Sequence, residues 1–154
     1  MNETQFKIAE YLLEARPTGR GMDAAKSHLV DGETQADAAK KHDVSRQMAF
    51  SSINRIKSSY LKALKIKEAF DLATRHGNPL TNADKFDIAM LVINKRATGK
   101  GIAAARLVMV NQLTRAEAAK ECNIALPTLH VAMTRISNSY EKGLEVKRMF
   151  DTII

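Results

Sequence analysis

The sequence has no tryptophan, and aromatic residues make up only 5% of its 154 residues. Its interior must therefore be assembled from Ala, Leu, Ile, Val and Met. A single cysteine, Cys122, is present. No disulfide can form within the chain, and a reducing cytoplasm is the expected setting. No run of about 18 apolar residues occurs, which excludes a membrane-spanning helix. Met1-Asn2-Glu3-Thr4 lacks the basic-then-apolar order of a signal peptide, so none is expected. Acidic residues are outnumbered: 24 Lys and Arg against 17 Asp and Glu leave a net charge of +7. A basic chain attracts polyanions, of which nucleic acid is the common one. With 45% hydrophobic and 27% charged residues, the balance is that of a folded globular protein.

The chain repeats itself. Shifted by 80 residues, it matches without a gap. Phe6, Ile8 and Ala9 fall on Phe86, Ile88 and Ala89, and Thr18-Gly19-Arg20-Gly21 on Thr98-Gly99-Lys100-Gly101. Ala38-Ala39-Lys40 falls on Ala118-Ala119-Lys120, Ser59-Tyr60 on Ser139-Tyr140, and Phe70-Asp71 on Phe150-Asp151. Two copies are too few for a solenoid and indicate two like modules. The break is His76-Gly77-Asn78-Pro79, which ends a helix and turns the chain. The expected modules are 1–76 and 80–154, with 77–79 as linker. Both are basic: 13 Lys and Arg face 10 Asp and Glu in 1–78, and 11 face 7 in 79–154.

No segment shows sustained strand alternation. The spacing predicts an all-α fold of about four helices per module, the modules related by a pseudo-two-fold. Phe6, Ala9, Leu12 and Leu13 have helical spacing, as do Phe86, Ala89 and Ile93. Thr81-x-x-Asp84 opens the first helix of the second copy as a capping box. A second helix follows each Gly-x-Gly, with Met22, Ala25 and Leu29, or Ile102, Ala105 and Met109, on one face. Thr34-x-x-Asp37 and Thr114-x-x-Glu117 start a short third helix ending near His42 and Cys122. Asp43 and Asn123 tolerate the left-handed backbone of a tight turn, with Val44 and Ile124 plugging the space beneath. Ser45 caps a fourth helix. In the second copy Ala125 is a poor cap, and Pro127 stands near the first turn, where a missing N–H costs little. The spacing leaves open whether the fourth helix continues through Tyr60, Leu64 and Phe70 or kinks at Ser58-Ser59. The same holds for Tyr140, Leu144 and Phe150.

Two short helices joined by a tight turn, with Ala38-Ala39 where they cross, form a helix-turn-helix. The N-terminal residues of its second helix reach base edges in the major groove. The expected base-reading residues are Arg46, Gln47, Ser51 and Asn54 in the first copy and Thr128, His130, Val131 and Thr134 in the second. Arg bonds guanine, Gln and Asn pair with adenine, and Val131 suits a thymine methyl. Arg55, Lys57 and Arg135 lie later on the helix and are expected at phosphates, together with Arg20, Lys100, Thr34, Thr114 and Arg115 near helix starts.

Leu29-Val30-Asp31-Gly32-Glu33-Thr34-Gln35-Ala36-Asp37-Ala38-Ala39, with Val44-Ser45-Arg46 and Ile53-Asn54-Arg55-Ile56, resembles the TrfB/KorA family of plasmid repressors. PapB-type fimbrial regulators are more distantly similar. The resemblance implies a helical DNA-binding repressor with Arg46 reading bases, in a family whose members pair as dimers on palindromes. It covers most of 18–60. It is weaker over 98–140, where Gln112 replaces Gly32 and Leu126 replaces Arg46. Ser51 stands where the family has a glutamine.

These features lead to a cytoplasmic, nucleoid-associated transcriptional regulator that binds a double-stranded operator, with no cofactor and no catalytic or metal site. A homodimer or a partner protein is the further association considered. An apolar recognition face in the second copy favours the competing expectation, a helical adaptor whose second module binds protein. An RNA-binding or enzymatic role fits less well. Aromatics for base stacking are few, with Phe50 the one near the proposed surface. His28, His42, His76 and His130 form no metal pattern, and Cys122 has no evident base partner.

Overall fold

The computed structural model describes residues 1–13, 19–93 and 99–152. Those residues form eight α-helices and no strand. Thr18 and Thr98, which open the two Thr-Gly runs, lie outside the described residues. Two series of four helices follow each other. The first is α1 (Glu3–Leu12), α2 (Arg20–Leu29), α3 (Gln35–Lys41) and α4 (Arg46–Ala73). The second is α5 (Asn82–Val92), α6 (Lys100–Met109), α7 (Arg115–Glu121) and α8 (Leu126–Asp151). No helix among the described residues is long and apolar enough to cross a membrane.

Side chains at the helix starts satisfy backbone donors that a first turn leaves unpaired. Asn2 and Gln5 form a reciprocal capping box on α1, as do Thr81 and Asp84 on α5 and Thr114 and Glu117 on α7. Thr34 accepts from the Asp37 N–H at the start of α3. Gly19 precedes α2 at φ 126°, a backbone region open in practice to glycine. Gly21 and Gly101 lie inside the first turns of α2 and α6, so each helix begins within its Gly-x-Gly run and not after it.

The fourth helix of each series is continuous: α4 spans 28 residues and α8 spans 26. α4 runs through Ser58-Ser59 without a break. Ser59 is buried and its hydroxyl donates to the Ala9 carbonyl at 2.6 Å. The Leu13 N–H, the natural helical partner of that carbonyl, bonds Glu10 instead. Ser59 thus pairs an end group of α1 that would otherwise be orphaned. In the second series the Ile93 N–H reaches the Ala89 carbonyl directly.

Two compact units result, and they do not follow the repeat boundary at 77–79. One comprises Met1–Leu64 with Arg148–Ile154, the other Lys65–Lys147. Residues 65–76, which the repeat groups with the first copy, belong to the unit that holds α5, α6 and α7. The physical reason is visible in the ring contacts. Tyr60 meets Phe150 at 6.2 Å in the first unit, and Phe70 meets Tyr140 at 6.1 Å in the second. A helix end buries its apolar face wherever that face finds a partner, whatever its place in the repeat.

The first unit's core joins Phe6, Ala9, Met22, Ala25, Ile53 and Ile56, beside a cluster of Ala24, Ala38, Ala39 and Ala49. In the second unit one cluster gathers Phe86, Ala89, Ala104, Ala105, Ala118, Leu129 and Ile136, among others. There Gly143 of α8 lies against α5: a Cβ on it would stand 3.2 Å from Ile88 Cγ2 and 3.3 Å from Val92 Cγ2. Matched positions differ in chemistry. Ser27 is buried and hydrogen-bonds with His42 Nε2 at 2.9 Å. Leu107 and Cys122 stand there in the second unit, both packed on its apolar core. Cys122 is thus a packing residue.

Candidate nucleic-acid interface

The third and fourth helices of each series are joined by four residues, 42–45 and 122–125. Asp43 at φ 52° and Asn123 at φ 50° take the left-handed conformation at the same point of each turn. Val44 packs on the Ala24, Ala38, Ala39 and Ala49 cluster, and Ile124 on the second core. Small side chains at 38, 39 and 49, all buried, let α3 and the start of α4 approach closely. The Ser45 hydroxyl accepts from the Met48 N–H at 3.1 Å. The Gln35 side-chain amide donates to the Arg46 carbonyl at 3.2 Å, tying the start of α3 to the start of α4. Ala125 offers no such hydroxyl, and Pro127 is the second residue of α8.

At about 100° per residue, the first turns of α4 sort into two faces. Ala49, Ser52, Ile53 and Ile56 are buried on one. Arg46, Gln47, Phe50, Ser51, Asn54, Arg55, Lys57 and Ser58 are exposed on the other. Gln47, Asn54 and Ser58 run along the centre of the exposed arc. Arg46 and Lys57 stand along one margin and Arg55 along the opposite one. Met48 is also exposed beside Arg55, at the edge facing α2, where a Cβ on Gly21 would lie 3.3 Å from its Cγ. Hydrogen-bonding groups in the middle with cations on both sides suit a groove whose floor is base edges and whose walls are phosphates. No acidic residue occurs on α4 before Glu68.

α8 has the same geometry with other chemistry. His130, Val131, Thr134, Arg135 and Asn138 are exposed. Leu126 (53% exposed) replaces Arg46, and Val131 is 66% exposed. Arg135 is the one cation on this arc, because Ser137 stands where Lys57 does in the first series. Thr128 sits at the margin toward α6, where a Cβ on Gly101 would lie 3.8 Å from its methyl. Of the expected base readers, Thr128 and, on α4, Arg46 therefore stand at a margin of their face and not at its centre. Phe50, Ser58 and Asn138 stand on the arcs without being among the expected readers. Continuing the i, i+4 series from Arg46 and from Thr134 finds all three.

The residues expected at phosphates divide. Arg55, Lys57, Lys100, Arg115 and Arg135 are exposed. The Arg20 guanidinium is paired with the Asp43 carboxylate at 2.8 Å. Both side chains are well exposed, and such a pair contributes under about 1 kcal/mol, so a phosphate can compete for Arg20. In the second series Asn123 takes the place of Asp43, leaving no carboxylate at that position. Thr34 and Thr114 are engaged differently from the expectation. Their hydroxyls donate to the Asp37 and Glu117 carboxylates at 2.6 Å while accepting the cap N–H. The hydrogen bonds from Thr114 hold the Glu117 carboxyl below its ordinary pKa. A hydroxyl so committed, beside a carboxylate, does not favour a phosphate.

Neighbouring groups hold the turn between α2 and α3. Lys41 donates to the Glu33 carboxylate, which raises the lysine pKa. His28 Nδ1 lies 2.8 Å from the Glu33 carbonyl oxygen. No family model, curated protein or solved structure matches the chain.

Proposed function

We propose that the chain is a sequence-specific, double-stranded DNA-binding transcriptional regulator of the repressor type. It would insert 46–57 and 126–137 into the major groove, and would belong in the cytoplasm with the nucleoid of a bacterium or its plasmids and phages. The observation that carries this reading is the exposed arc of α4: Gln47, Ser51 and Asn54 central, Arg46, Lys57 and Arg55 at the margins, behind a tight left-handed turn. The net charge of +7 and the resemblance of 18–60 to TrfB/KorA repressors support it. The resemblance adds that Arg46 reads bases. Such a regulator needs neither cofactor nor catalytic set, and two chains can pair further on one operator.

The test is selection from a random duplex pool at about 0.1 M salt, where long-range charge effects are partly screened, with wild type and Arg46→Ala. An enriched motif that Arg46→Ala weakens supports a sequence reader. Two half-sites about one helical turn apart support docking by both helices. Absence of enrichment would sink the proposal. A second reading has its own observation: the apolar, cation-poor face of α8, with Leu126 and Val131 exposed, suits a protein partner. A single enriched half-site would favour that role for α8.

A further inference from the structure

Phe50 is the residue that a purely polar reading of the α4 arc leaves unexplained. It is 55% exposed and stands one turn from Arg46 and one turn from Asn54, inside the arc. An aromatic ring left in water is unfavourable. The surroundings of Phe50 are cations and hydrogen-bonding groups, with no acidic residue on the helix before Glu68. A partner for this face therefore carries negative charge at the margins and an apolar point among polar groups between them. Duplex DNA presents that combination in the major groove, where the thymine C5-methyl projects among polar base edges between two phosphate walls.

We propose that Phe50 is a specificity-determining residue that reads a thymine methyl in the DNA bound by α4. The inference rests on the DNA-binding function proposed above. His130 holds the matching position on α8, and the exposed apolar groups there are Leu126 and Val131. The two helices thus offer their apolar groups at different places on the arc, and thymine falls at different places in the two half-sites.

The probe is the set of duplexes that wild type enriches from a random pool, resynthesised with deoxyuridine for thymidine at one position at a time. This removes a methyl and nothing else. Wild type is expected to bind about fourfold more weakly when the contacted methyl is removed, the effect of one buried methyl group. Phe50→Ala is expected to bind the thymine and uracil duplexes alike, and Phe50→Leu to keep part of the difference. Circular dichroism checks that both variants keep the wild-type helix content. Failure to retain any duplex at low salt overturns the DNA-binding function and this inference together. Duplexes that wild type binds equally with thymine and uracil leave DNA binding standing and overturn the role of Phe50. A uracil effect that persists undiminished in Phe50→Ala assigns the methyl to another side chain and overturns it as well.

Discussion

Replacing Gly21 by alanine places a methyl carbon 2.8 Å from Ser52 Oγ and 3.3 Å from Met48 Cγ. Ser52 is buried and belongs to the first turns of α4, so relief of the overlap takes either a change of rotamer at Ser52 or a shift of the helix that carries Arg46 and Gln47. Overpacking of this kind costs about 1–3 kcal/mol, against a helix-propensity gain of at most about 1 kcal/mol. Gly101 holds the matching position in the second series. There the nearest atom to a new Cβ is Ala132 Cβ at 3.4 Å, an ordinary contact. The same substitution is thus expected to act with opposite signs. At about 2–4 °C per kcal/mol for a chain of this size, Gly21→Ala should lower the melting temperature by several degrees. Gly101→Ala should leave it unchanged or raise it. Thermal melts followed by circular dichroism read the difference, and retention of selected duplexes reads any displacement of α4. A Gly21→Ala variant as stable as Gly101→Ala, with full DNA retention, would refute the overpacking predicted at this contact.

Gln112 adopts φ 62° where Gly32 takes φ 79°. Left-handed backbone at a residue other than glycine costs about 1–2 kcal/mol, partly offset by glycine's larger entropy loss. Gln112→Gly should therefore raise the urea midpoint modestly, and a fall would contradict the strain. Ser27→Leu and His42→Cys each break the Ser27–His42 bond and should each cost about 1–3 kcal/mol. The double variant recreates the pair found at Leu107 and Cys122, so its loss should be smaller than the sum of the two, as a double-mutant cycle will show. Asp71 is bonded by Lys67 and, secondarily, by Lys147, which holds its carboxyl below the usual range. Its folded pKa lies below its unfolded one, so its contribution is present above about pH 4 and lost as pH falls through the folded value. Asp71→Asn should flatten the acid limb of a stability profile by under about 1 kcal/mol, and an unchanged acid limb would count against the pairing.

Local signals were the legible ones. Helical spacing located α1 and α5, the Thr-x-x-acid pattern located α3, α5 and α7, and the Asx residues marked both left-handed turns. These depend on residues within a few positions of each other. The burial of Ser59 was not legible, because its acceptor is the Ala9 carbonyl, fifty residues away. The place of Gly21 inside a helix was hidden for a similar reason: what demands a small residue there is Ser52 on another element. Within the candidate site, the exposed stripe could be drawn from periodicity. The pairing of Arg20 with Asp43 could not, since it is a choice among partners that only the packed chain presents; the engagement of the Thr34 hydroxyl by Asp37 was already contained in the Thr-x-x-Asp pattern, which conflicts with a phosphate role for Thr34.

The allocation of residues 65–73 to one unit and 148–152 to the other bears on how the polypeptide tolerates being cut. A nick at 77–79 leaves Tyr60 and Phe70 on one fragment and Tyr140 and Phe150 on the other, so neither fragment by itself restores either ring contact. The pieces must find each other again to complete both units. A lone first repeat meets the same demand differently: it carries both ring types on a single helix, and a second copy of itself is the natural source of the missing one. Uninterrupted linkage removes that choice. Every molecule then holds one cation-rich helix face and one apolar face in fixed one-to-one proportion, and the two are free to diverge without ever being sorted into like pairs.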